Sequence, residues 1–104
     1  MSSTAVIRYQ TRPESGDDNQ QLVEAVFADL HQARPAGIDY RVYRLDGQTF
    51  VHVFTAVDDA DDVLPTLPAF QEFLAQHSER RTGPAERIEG VEIGRYSGDR
   101  VAVS

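Results

Sequence analysis

The chain has no cysteine among its 104 residues. Disulfides, thiol catalysis and cysteine-based metal sites are therefore excluded. It also lacks any apolar run near the ~20 residues that a membrane span needs, so no span is expected. Its first ten residues, MSSTAVIRYQ, show neither a basic stretch nor an apolar core. A secretory leader is not expected, and the expected setting is cytoplasmic. Positive charge is scarce: 10 Lys and Arg stand against 17 Asp and Glu, for a formal net charge of -7. Phosphate-binding surfaces must be basic, so neither nucleic acid nor an anionic membrane is an expected partner. No Ser-His-Asp order, phosphate loop or dinucleotide fingerprint occurs, and Gly83 and Gly90 stand alone. There are no internal repeats and no low-complexity linker.

The clearest structural signal is the stretch 38–57, IDYRVYRLDGQTFVHVFTAV. Asp46-Gly47 reads as a two-residue hairpin turn, flanked by the β-branched and aromatic residues that strands favour. Counting outward pairs Leu45 with Gln48, Tyr43 with Phe50, Arg41 with His52 and Asp39 with Phe54. These share one face, because side chains alternate along a strand. Ile38, Tyr40, Val42, Val51, Val53 and Thr55 form the other face, which is almost pure hydrocarbon.

Alternation over 4–12 predicts a first strand, and Pro13-Glu14-Ser15-Gly16 ends it. Asp17 is the expected helix N-cap, with Gln20 at the capping-box position. Leu22, Val23, Val26, Phe27, Leu30 and Ala33 make an apolar helical stripe that stops at Pro35-Ala36-Gly37. The acidic run at 58–62 has no calcium-loop spacing and reads as a solvated loop, so no metal is expected. A second helix is expected over 64–81, with a break near Pro65 and Pro68 at a first helical position. Phe70, Phe73, Leu74 and His77 share one face of it. A last strand over 86–96 carries a bulge at Gly90, and 98–104 is a short tail.

One domain with one core over about 4–97 follows, in the order β-α-β-β-α-β. This is the ferredoxin-like α+β arrangement, an antiparallel four-stranded sheet with two helices on one face. Two helices leave the second sheet face open. Both hairpin faces are too apolar for water, so a homodimer joined through the sheet is expected.

The opening AVIRYQTRPES, the hairpin end TFVHVFTAVDD and the helix LPAFQEFLAQ resemble the antibiotic biosynthesis monooxygenase-like family of dimeric α+β barrel proteins. The resemblance runs from 5 to about 96. It implies a ferredoxin-like protomer whose sheet joins its partner's into a barrel. It also implies a small monooxygenase working on an aromatic or quinol-type molecule without a protein-bound cofactor. A non-catalytic dimer that binds a small ligand is the other reading. The family's haem-degrading branch relies on an Asn, a Trp and a His. This chain has no Trp and its only Asn is Asn19, so His77 alone matches and haem degradation is not carried over.

Two candidate catalytic residues emerge. His52 reads as a pocket base, with Arg41 holding an anion beside it; the competing reading is a polar spot on the dimer-facing sheet. Tyr43, Phe50, Phe54, Phe70 and His77 are the candidate substrate-binding residues, and Phe70 also reads as plain core. His77 reads equally as a histidine at the core edge. His31 suits the negative end of the first helix and is assigned no function.

Overall fold

Three residues, not two, join the strands of the hairpin. The computed structural model describes residues 2–57 and 63–98. Its elements are β1 (Ser2–Gln10), α1 (Gly16–Ala33), β2 (Ile38–Leu45), β3 (Thr49–Val57), α2 (Pro68–Leu74), α3 (His77–Arg80) and β4 (Glu86–Gly90). Short 3-10 turns precede α1, at Pro13–Ser15, and α2, at Leu64–Thr66. The strands form one antiparallel sheet in the order β2-β3-β1-β4, which is the ferredoxin-like α+β topology. The acidic stretch 58–62 and the tail residues 99–104 lie outside the described residues.

The hairpin register corrects the two-residue turn. Leu45 pairs with Thr49, Val42 with His52, Arg41 with Val53 and Tyr40 with Phe54. Asp46 and Gly47 both take positive φ, 49° and 76°, as a tight hairpin turn asks. Gln48 is the extra residue. Its carbonyl accepts the backbone N–H of Thr11 at 2.9 Å, which draws it out of the β2–β3 ladder. A one-residue slip exchanges the faces of one strand relative to the other. Ile38, Tyr40 and Val42 therefore stand beside Phe50, His52 and Phe54 on the helix-covered side. Arg41 and Tyr43 fall on the open side, with Val51, Val53 and Thr55.

The helix boundaries shift for local reasons. The α1 N-cap position is Ser15, not Asp17, and no side chain caps it. Asp17 and Gln20 instead accept from Nη1 of Arg44, at 3.0 and 2.6 Å, which ties the helix start to the hairpin. Gly16 lets these groups approach closely: a Cβ there would lie 2.6 Å from Arg44 Nη2, so the guanidinium would have to shift, and 3.1 Å from the Gly47 carbonyl. The expected second helix is interrupted after Leu74. Ala75 is extended and Gln76 is left-handed at φ 62°, so His77 begins a separate turn of helix. Pro68 occupies the first turn of α2, as its missing N–H allows. The last strand ends at Gly90 and does not run on to Tyr96.

The core lies between the sheet and the helices. Tyr9, Val23, Val26, Phe50, Leu64, Leu67 and Phe73 form it. Phe50 is 1% exposed and stacks on Tyr9 with ring centroids 5.7 Å apart. Burying a side chain of this size contributes about 1.5–3 kcal/mol. On α1, Val23, Val26, Phe27 and Leu30 follow helical spacing and face this core. The other sheet face exposes Val6, Tyr43 and Ile88.

Candidate functional site

The break at Ala75–Gln76 makes the site. Because α2 is only two turns long, it covers β1 and β3 incompletely. A cavity of about 440 Å³ remains between them. Its walls are largely hydrocarbon: Ala5 and Ile7 from β1, Phe54 from β3, then Leu64, Phe70 and Phe73. The polar groups that reach it are Tyr9, Tyr40, His52, His77 and Arg87. Among the described residues neither Asp nor Glu lines it.

His52 sits at the floor, buried, with both ring nitrogens engaged. Tyr9 Oη lies 2.8 Å from Nε2 and Tyr40 Oη lies 2.7 Å from Nδ1. The strand ladders explain this. On β1, Tyr9 lies one strand over from His52; on β2, Tyr40 stands two residues from Val42, which is His52's direct partner. Behind Tyr9, its oxygen accepts from Nδ2 of Asn19 at 2.9 Å, and Asn19 Oδ1 accepts from Nε of Arg80 at 2.9 Å. Asn19 is fully buried and Arg80 is 9% exposed. Arg80 also donates to the carbonyls of Phe73 and Ala75, at 2.6 and 3.2 Å, and so caps the end of α2.

His77 faces the cavity from the start of α3. Its ring meets Tyr9 edge-on at 4.7 Å and Phe73 at 4.8 Å. Among the described residues its buried Nε2 has no hydrogen-bond partner. Burial, reinforced by His77, pulls His52 down to about 4. Burial, then Arg81 and Arg80, pulls His77 down to about 4. Both imidazoles are neutral at neutral pH. Burial pushes the Tyr9 phenol up to about 12, against the pull of Asn19 and Arg80. It raises Tyr40 as well, with Tyr9 adding to the effect. The Tyr9–His52–Tyr40 chain is thus uncharged and set in a largely apolar wall, with Arg87 at the lining and Arg80 behind Asn19.

Of the residues singled out in the sequence, His52, Phe54, Phe70 and His77 come together around the cavity. Phe50 lies on the same sheet face but is packed beneath Tyr9 in the core. Arg41 and Tyr43 are on the opposite face, so Arg41 is not His52's neighbour; its Nε pairs with Asp39 at 3.3 Å. With Val53 and Thr55 they line a separate groove of about 320 Å³ beside residues 91–92 and Arg95. Sequence reasoning did not reach Tyr9, Tyr40, Asn19 and Arg80 as site residues. Tyr9 was readable by alternation with Ala5 and Ile7. Tyr40 needed the right hairpin register. Nothing local marks Asn19 or Arg80, since polar residues at a helix start and end are usually solvated.

Among the described residues no group of three His, Asp or Glu could hold a metal ion, and no helix is long and apolar enough to cross a membrane. Neither a protein-family model nor a curated protein sequence matches the chain. Solved structures do resemble it. Rv0793 from Mycobacterium tuberculosis is similar at a TM-score of 0.73 and 20% identity, over 93% of this chain and all 100% of that one. An antibiotic biosynthesis monooxygenase is similar at 0.71 and 11% identity, over 88% and 99%. A mutant of SnoaB, a cofactor-independent oxygenase from Streptomyces nogalater, is similar at 0.67 and 15% identity, over 90% and 95%. At these identities the likeness is one of fold.

Proposed function

We propose that this chain, whose fold is that of the antibiotic biosynthesis monooxygenase structures, is a small cofactor-independent oxygenase for a flat, hydroxylated aromatic molecule. One observation carries the reading: an apolar cavity whose floor is the Tyr9–His52–Tyr40 chain. Phe54, Phe70 and Phe73 flank a planar ligand. A ligand oxygen meets the tyrosine hydroxyls, because both nitrogens of His52 are already engaged. As the ligand loses a proton, that proton passes through a tyrosine to His52. The anion left behind raises the imidazole's affinity for the proton. The dry wall keeps the charge on the ligand from being solvated, and Arg80 behind Tyr9 supplies a fixed positive charge.

The chemistry balances without a cofactor. The ring methylene of an anthrone-type substrate gives up four electrons on becoming a carbonyl. Dioxygen takes all four, one oxygen atom entering the product and the other leaving as water. A dihydroxy-aromatic gives up two electrons to form a quinone, and dioxygen becomes hydrogen peroxide.

Oxygen consumption with a panel of such substrates, without added metal or flavin, tests the reading. His52→Ala is expected to slow turnover at least ~100-fold, the low end for a general base. No turnover across the panel, or a variant at full rate, ends the oxygenase assignment. Saturable binding without turnover would then support the second reading, a ligand-binding module, which the same cavity favours.

The active form is proposed to be a homodimer. What supports this is the sheet face away from the helices, where Val6, Tyr43 and Ile88 are exposed.

A further inference from the structure

We propose that Asn19 and Arg80, neither of which lines the cavity, are positioning residues that fix the direction of the proton chain through Tyr9 and His52. The argument is one of donors and acceptors. A guanidinium only donates, so Arg80 Nε–H must meet the oxygen of the Asn19 amide, 2.9 Å away. That sets the amide's orientation, and its Nδ2–H points at Tyr9 Oη at 2.9 Å. Having accepted one hydrogen bond, Tyr9 needs an acceptor for its own proton. The acceptor in reach is His52 Nε2, at 2.8 Å. Nε2 then carries the lone pair and the ring proton sits on Nδ1, directed at Tyr40 Oη 2.7 Å away. Tyr40 accepts, and among the described residues its hydroxyl proton has no acceptor. It is left to donate to an oxygen in the cavity.

The reverse direction is disfavoured. With the proton on Nε2, Tyr9 would receive two donors, and its own proton would have no acceptor among the described residues at a side chain only 3% exposed, whereas the unpaired proton of the forward direction falls on the half-buried Tyr40. The two tyrosines are therefore inequivalent. Tyr40 donates to the ligand. Tyr9 leads to the unprotonated nitrogen of His52, so a proton leaving the ligand travels by Tyr9. The position of Arg80 fits this role. Capping α2 uses only its two terminal nitrogens. The Nε contact with Asn19 goes beyond the cap, and among the described residues Arg80 has no carboxylate within ion-pair distance, which is unusual for a buried cation. The division of labour between the tyrosines rests on the proposed oxygenase reading; the proton order does not.

The test is nitrogen-15 NMR of the histidine rings at pH 7, in the wild-type chain without substrate. The expected spectrum shows His52 neutral with its proton on Nδ1. The Nε2–H tautomer in the wild type overturns the proposal. Asn19→Asp reverses the chain: a carboxylate accepts from Arg80, cannot donate, and takes the proton of Tyr9. His52 should then switch to Nε2–H, with His77 unchanged. A folded Asn19→Asp protein that keeps the wild-type tautomer also overturns the proposal; if that variant does not fold, the wild-type spectrum alone decides. Where turnover is measured, Asn19→Asp should lower kcat roughly 100-fold, the effect of one lost donor, with KM little changed. Wild-type kcat in the variant counts against the proposal. Because the spectra need no substrate, an absence of turnover bears on the oxygenase reading and leaves the proton order standing or falling by itself.

Discussion

Tyr40 and His52 share a hydrogen bond of 2.7 Å between Oη and Nδ1. With Tyr9 on the other nitrogen, the imidazole has no nitrogen free to hydrogen-bond a ligand. Chemistry in the cavity must pass through a phenol.

Tyr40→Phe should therefore be a clean chemical lesion. The ring stacks on Phe27 at 5.0 Å, and the variant keeps that contact. The expected result is an unchanged fold by circular dichroism and kcat lowered about 100-fold, as for loss of one preorganised donor. Full activity in Tyr40→Phe would show that the hydroxyl does not meet the substrate.

Acid should weaken the fold through His52. Its folded value of about 4 lies below the 6.5 of an unfolded chain. Between these the unfolded state holds a proton that the native state does not. This stabilisation is complete above about pH 6.5 and is lost as pH falls towards 4, at up to ~1.4 kcal/mol per pH unit. His77 acts in the same direction. Urea midpoints at pH 7 and pH 5 should differ less for His52→Gln than for the wild type. Equal drops would place the titration elsewhere.

Phe73 lies 4% exposed, against the rings of His52, Phe70 and His77 and beneath the Arg80 guanidinium. Phe73→Ala should cost roughly 3–5 kcal/mol in denaturant unfolding, as large aromatic truncations do in packed interiors. A loss below about 1 kcal/mol would mark Phe73 as a surface residue.

Much of this was legible in the sequence, and the missing part has one source. The order of elements, the α1 stripe and the cavity residues His52, Phe54, Phe70 and His77 follow from local periodicity. The pairing of His52 with Arg41 did not survive, because it rested on turn length. Asp46-Gly47 signals a two-residue turn by itself. What adds Gln48 is the N–H of Thr11, 37 residues away, and no local rule sees it. Asn19 and Arg80 are hidden likewise: they meet across 61 residues, and only the fold joins them.

Arg41 now supplies a contrast. It lies on the far side of the sheet from the cavity, so Arg41→Ala should leave ligand affinity there within about twofold, as distant surface changes do. Calorimetric titration with an aromatic ligand decides it. A tenfold weaker complex would mean that the open face communicates with the cavity.

The open face itself predicts assembly. Light scattering at micromolar concentration should give a dimer mass, and Val53→Glu, a charge at the centre of that face, should shift it towards monomer. A monomeric wild type would remove the proposed barrel.

The register of the hairpin depends on Gln48 staying outside the ladder. Were Gln48 to pair with Leu45 across a two-residue turn, every pair beyond would slip by one, and Arg41, not Val42, would meet His52. Either the histidine chain or the apolar side of β2 would then turn out of the interior. The bond from the Thr11 N–H to the Gln48 carbonyl stands against that slip. It is made by main-chain atoms alone, so side-chain replacements at either position leave it available, proline at 11 excepted. The letters of this loop can drift over generations while its alignment holds.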